Sequence, residues 1–198
     1  MTLPNQLTIL RIVLSPVFLI FFLSDSIWMK QVSVLIYLVA ALSDWYDGWL
    51  ARKFNYITSW GKFWDPLADK ILTSTAFIAF AGVGLIPLWM VSIIVGRDVI
   101  VTLLRVFADM KNYSFTTSYY AKWKTVLQMV FLYYLLIIYV AQYTPEVNDS
   151  YNELILILLN KQLVFFTALL ITVITFHSGV LYIVRNWPVI RKLLRVEN

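Results

Sequence analysis

Four aspartates fall within 26 residues: Asp44, Asp47, Asp65 and Asp69. Asp44 and Asp47 are three apart, and Gly48 and Ala51 continue the same helical face. Asp65 and Asp69 are four apart, with Gly61 four residues before the first. Each pair therefore lies on one face of a helix, and residues 53–60 read as the short loop between the two helices. In antiparallel neighbours all four carboxylates would converge. Converging oxygens without a cation repel one another, so the pattern points to a site for hard divalent metal ions. Paired acids near a helix end are commonly just a solvated face, but the small residues argue otherwise. Gly48, Ala51 and Gly61 leave room for a bulky group against the backbone, and Arg52 adds a fixed cation at the same level. Metal ions, an arginine and small residues together suit a diphosphate ligand.

The elements that carry these residues are strongly apolar. The chain has 198 residues, 61% hydrophobic and 14% charged, which reads as a single domain over 1–198 and as a polytopic, all-α integral membrane protein. Intramembrane acids are costly to place in such a chain, so a cluster of four reads as functional. Apolar runs at 8–24, 32–51, 63–84, 86–107, 122–143 and 160–184 give six candidate transmembrane helices, each near the roughly 20 residues a bilayer needs. No small-residue cleavage site follows the first run, which reads as a retained span. Pro66 falls in the first turns of the third run, where a missing N–H is tolerated.

Orientation follows from the basic residues. With the N-terminus in the cytoplasm, 14 of the 16 Lys and Arg fall on the cytoplasmic side, leaving Lys30 and Lys161 outside. The loop 142–153 is acidic, with Glu146, Asp149 and Glu153, and falls outside. Both termini and the aspartate cluster are then cytoplasmic. The tail from Arg185 to Asn198 alternates cations with Val189, Ile190, Leu193 and Leu194, as in an interfacial amphipathic segment. There is no cysteine and one histidine, His177, which excludes thiolate chemistry and mechanisms needing paired histidines; His177 reads as a helix–helix hydrogen-bond partner. The net charge of +5 suits anionic membrane lipid. The cations form no continuous patch, which argues against nucleic acid.

The pattern D-x2-D-G-x2-A-R-x8-G-x3-D-x3-D, complete at all eight fixed positions from Asp44 to Asp69, resembles the signature of the CDP-alcohol phosphatidyltransferases, integral-membrane enzymes of phospholipid synthesis. The resemblance implies transfer of a phosphatidyl group from CDP-diacylglycerol to an alcohol, with release of CMP and dependence on two divalent ions, Mg2+ or Mn2+. It implies Asp44, Asp47 and Asp65 as metal ligands and Asp69 as both ligand and general base. Gly48, Ala51, Arg52, Thr58 and Gly61 would surround the CDP-lipid. Members of the family are commonly homodimers, and a chain of this length implies the bacterial inner membrane, with the active site facing the cytoplasm.

The acceptor is read from the remaining cations. Asn5-x2-Thr8-x2-Arg11, and Ala121-Lys122-Trp123-Lys124-Thr125 with Gln128, resemble stretches of the phosphatidylglycerophosphate synthases within that family. Arg97 and Arg105 are eight apart, or about 12 Å along a helix axis. Arg97, Arg105, Lys122, Lys124 and Arg11 are therefore candidate contacts for a phosphate on the acceptor, which suits glycerol 3-phosphate. Two departures keep an alternative open: Arg-Glu is more usual where Arg97-Asp98 stands, and glycine where Ala121 stands. Arg-Asp-Val also resembles the eukaryotic-type cardiolipin synthases, whose acceptor is phosphatidylglycerol. A cation transporter is a reading from a different class. Transporters, however, place such groups near the bilayer midplane, often within inverted repeats, and no repeat is evident here.

Overall fold

The computed structural model describes residues 3–54, 59–113, 115–116 and 118–195; within these, the side chains of 3, 4, 45, 47–54, 59, 60, 62, 194 and 195 are not among those described. Seven helices account for the described residues: α1 (Leu3–Leu23), α2 (Ile27–Phe54), α3 (Ser59–Gly82), α4 (Leu88–Met110), α5 (Tyr119–Gln142), α6 (Pro145–Leu158) and α7 (Lys161–Arg195). Stretches within α1, α2, α5 and α7 are long and apolar enough to cross a bilayer, as a multi-pass membrane protein requires. α3 and α4 are of similar length but carry Asp65, Asp69 and Lys70, and Arg97, Asp98, Arg105 and Asp109, which lower their hydropathy.

The helix ends differ from the sequence expectation in three places. α2 runs on to Phe54 and α3 starts at Ser59, so the link is shorter than 53–60 and Pro66 is not in a first turn but well inside α3. There the proline leaves the carbonyl four residues back without its helical partner. The stretch 142–153, expected as a loop, contributes to α6, a short helix kinked at Tyr151 (φ −132°). The basic tail is the continuation of α7 through Pro188 to Arg195, without a break.

Turn chemistry explains how the long helices stop. After α3 the chain turns through Gly84 at φ +76°, and the Leu85 N–H reaches back to the Phe80 carbonyl at 3.0 Å. After α4 the same device recurs with Asn112 at φ 59° and the Tyr113 N–H on the Ala108 carbonyl at 2.8 Å. These are the left-handed residues that cap helix C-termini at low cost only as glycine or asparagine. Ser118 opens α5 by accepting the Ala121 N–H.

Packing closes the long helices into a ring in the order α1, α2, α5, α7, α4, α3 and back to α1. Its core is aromatic: Phe18 and Phe22 of α1 meet Tyr37 of α2, Phe80 of α3 and Tyr139 of α5 at centroid separations of 5.0–5.7 Å. At one end of this core Lys30 of α2 is buried over the Tyr143 ring, 4.2 Å from its centroid. α6 lies beside α5, where the Tyr134 hydroxyl donates to the Leu158 carbonyl. The polar groups gather at the other end.

Candidate active site

α2 and α3 present the aspartates from two neighbouring helices. Asp44, Asp47, Gly48, Ala51 and Arg52 lie on one uninterrupted stretch of α2, and Gly61, Asp65 and Asp69 on α3. The side chains of Asp47, Ala51 and Arg52 and the surroundings of Gly48 lie outside the described set, as does Thr58 altogether. Gly61 is buried. Asp65 and Asp69 are both close enough to Asp44 to act on it electrostatically, as the antiparallel reading requires.

α1 supplies a polar stripe against them. Asn5, Thr8, Arg11 and Ser15 recur at helical spacing and are all buried, Arg11 completely. Arg11 Nη1 sits 2.5 Å from Asp44 Oδ1, and Thr8 Oγ1 donates to Asp65 Oδ1 at 2.6 Å. Ser15 turns back on the Arg11 carbonyl at 2.8 Å. A buried guanidinium is tolerable only beside an anion, and Asp44 provides it. The Asn5-x2-Thr8-x2-Arg11 spacing is thus the part of α1 that holds two of the aspartates in place.

Asp69, one turn after Asp65 on α3, also lines a cavity of about 660 Å³ between α3, α4, α5 and α7. Its walls also include Lys70, Arg97, Arg105, Lys122 and Tyr182. Lys70 is 3.1 Å from Asp69. Four of the residues singled out from the sequence, Asp69, Arg97, Arg105 and Lys122, are therefore brought together around one space. Lys124 and Arg11 are not in its lining. Lys124 is buried and bonded to Asp98 Oδ1 at 2.5 Å, and Arg11 is at Asp44.

On the same cavity wall, Asp98 is the centre of a buried polar cluster. Besides Lys124 it accepts from Arg97 Nη1 at 3.0 Å and from Gln128 Nε2 at 3.0 Å. Arg97 is accommodated because α7 has a glycine opposite: a Cβ on Gly179 would stand 2.8 Å from Arg97 Cγ. His177 of α7 pairs with the Tyr120 hydroxyl of α5 at 3.2 Å, a helix–helix contact of the expected kind.

Two site residues were invisible to spacing arguments. Gln128 was noted only as part of a motif, and its service to Asp98 depends on how α4 meets α5. Tyr182 is one of twelve tyrosines in the chain and carries no local signal.

The donor chemistry suits a hard divalent cation: carboxylate oxygens, with no thiolate or imidazole among the candidate ligands. Among the described residues no three acidic, histidine or cysteine side chains are grouped as a metal centre. The fourth aspartate, Asp47, is outside them.

Comparison with known proteins agrees with the signature. The CDP-alcohol phosphatidyltransferase family profile matches residues 1–187. The chain is 40% identical over 115 residues to a Bacillus subtilis (strain 168) protein named CDP-diacylglycerol–glycerol-3-phosphate 3-phosphatidyltransferase, a match covering 52% of this chain and 60% of that protein. Proteins of the same name from Salmonella typhimurium and Rickettsia bellii are 37% identical over 139 residues and 33% identical over 179. Those matches cover 75% and 92% of the relatives and 67% and 89% of this chain. With its signature complete and its profile matched over nearly its whole length, this chain belongs to the CDP-alcohol phosphatidyltransferase family.

Proposed function

We propose that this chain transfers the phosphatidyl group of CDP-diacylglycerol to glycerol 3-phosphate, giving phosphatidylglycerophosphate and CMP. The observation that carries the reading is Asp69, the last residue of the signature, sharing one cavity with Arg97, Arg105 and Lys122. A proton acceptor beside three cations is what an acceptor bearing both a hydroxyl and a phosphate needs. The names of the relatives give the same acceptor, which favours it over the phosphatidylglycerol of a cardiolipin synthase.

In this reading Asp44, Asp47, Asp65 and Asp69 hold two divalent ions, Mg2+ or Mn2+. When bound, such ions neutralise charge on the diphosphate and on the departing phosphate. Arg52 and the small residues Gly48, Ala51 and Gly61, with Thr58, surround the CDP-lipid. Arg97, Arg105 and Lys122 hold the acceptor phosphate, while Lys124 and Arg11 are neutralised in their pairs with Asp98 and Asp44 and steady those carboxylates. Asp69 takes the proton of the acceptor hydroxyl. That oxygen forms a bond to the lipid-side phosphorus, the diphosphate P–O bond breaks, and CMP leaves with the bonding electrons. No covalent enzyme intermediate is required.

The same reading takes all six long helices as spans, with both termini, and hence the cavity, at the cytoplasmic face of a bacterial inner membrane. α3 and α4 then cross in the company of α1 and α7, which pack against them. The protein would work as a homodimer.

The test is acceptor-dependent CMP release from CDP-diacylglycerol by the purified protein with magnesium or manganese. Glycerol 3-phosphate, inositol phosphate, serine and phosphatidylglycerol are compared. Release with glycerol 3-phosphate alone is expected; release with phosphatidylglycerol and none with glycerol 3-phosphate would overturn the acceptor assignment.

A further inference from the structure

Tyr182 is held on α7 with its ring edge-on to Phe115, centroids 5.6 Å apart, and is only 6% exposed. It lines the cavity shared by Asp69, Arg97, Arg105 and Lys122. Its hydroxyl is buried and makes no hydrogen bond in the described structure. Buried hydroxyls are almost always satisfied, because an unmet one is destabilising, and phenylalanine would fill the same space without that cost. An unmet donor on a cavity wall is therefore a donor waiting for a ligand.

Its neighbours say which ligand. Arg105, Arg97 and, to a smaller extent, Asp109 are close enough to the phenol to act on it electrostatically. The two guanidiniums outweigh the one carboxylate there, so a group set beside them and the phenol O–H meets mainly donors, which favours an anionic oxygen. Arg105 and Lys122 are exposed whereas Tyr182 is buried. The phenol thus makes its contact in the desolvated part of the cavity, where a hydrogen bond is strongest. An ammonium on a flexible stem supplies charge without direction, whereas a ring fixed against Phe115 supplies direction.

We infer that Tyr182 is a specificity-determining residue whose hydroxyl donates a hydrogen bond to a phosphate oxygen of the acceptor. The inference rests on the reading of this cavity as the acceptor site. Neither the sequence motifs nor the names of the relatives point to it.

The variant is Tyr182→Phe, which removes one oxygen and leaves the ring. Because that oxygen has no partner in the protein, the melting temperature of the purified chain in detergent should hold or rise. The KM for glycerol 3-phosphate should rise about tenfold, while kcat and the KM for CDP-diacylglycerol stay within about twofold. A second measurement on the same two proteins, thermal stabilisation by inorganic phosphate, should show its half-maximal concentration rising by a similar factor. An unchanged KM with an unchanged phosphate midpoint overturns the inference, as does a fall in melting temperature with kcat reduced and KM untouched, which marks a packing role. If the unaltered protein does not turn over glycerol 3-phosphate, the proposed function fails on that result. The phosphate titration then decides the contact alone: a raised midpoint upholds it, and equal midpoints or no stabilisation in either protein overturns it.

Discussion

Lys124 of α5 and Asp98 of α4 form an ion pair at 2.5 Å in which both side chains are buried. The pair ties together the two helices that form most of the cavity wall. Removing one partner leaves the other charge buried and uncompensated, which costs about 3–5 kcal/mol. Asp98→Ala should therefore lower the melting temperature in detergent sharply. The double variant Asp98→Leu, Lys124→Met should recover part of the loss, because it removes the orphaned buried ammonium while Arg97 and Gln128 still lose their acceptor. Equal destabilisation by the single and double variants would show that the pair is not what joins α4 to α5.

Asp69→Asn preserves shape and removes the proton acceptor. Its neighbour Lys70, 3.1 Å away, is partly exposed and keeps water as a partner. The expected result is an unchanged melting temperature with kcat reduced by about 10²–10⁴-fold. Robust turnover would remove the base assignment.

Arg105→Ala takes one cation from the cavity while leaving the aspartates of the signature untouched. The KM for glycerol 3-phosphate should rise by about tenfold or more, with little change in the KM for CDP-diacylglycerol. A parallel rise for both substrates would mean that the cavity is not reserved for the acceptor.

Chelation should abolish turnover, and added magnesium or manganese should restore it. Thr8→Val removes the hydroxyl that steadies Asp65 at 2.6 Å. Groups that orient metal-binding carboxylates typically contribute 10–100-fold to affinity, so restoration of Thr8→Val should need about tenfold more metal. Direct Mn2+ binding, followed by electron paramagnetic resonance, reads the same shift without turnover.

Much of the site could be read from residue type and spacing because its chemistry is local. Asp44, Asp65 and Asp69 declare themselves as acids in an apolar chain at helical intervals, and the apolar stretches of α1, α2, α5 and α7 follow from hydropathy alone. What could not be read depends on which helices touch. Arg11 and Asp44 are 33 residues apart, and Lys124 and Asp98 are 26 apart. Nothing near either end of such a pair names the other. Lys124 looks like any cation of its motif until α5 is set against α4. Tyr182 looks like any lipid-facing tyrosine until α7 closes the wall. α6 was missed for a different reason: Glu146, Asp149 and Glu153 give it the composition of a loop, and its helicity is held by packing on α5.

The ring of helices also sets when this chain becomes competent during its synthesis. α1 and α2 emerge first and enter the bilayer with Arg11 and Asp44 already able to neutralise each other. The cavity that holds Asp69, by contrast, takes lining from α3, α4, α5 and α7. It has no fourth wall until the last helix leaves the ribosome. A nascent or truncated chain can display the complete signature and still lack this cavity, so assembly of the signature and assembly of the cavity are separate events along the chain.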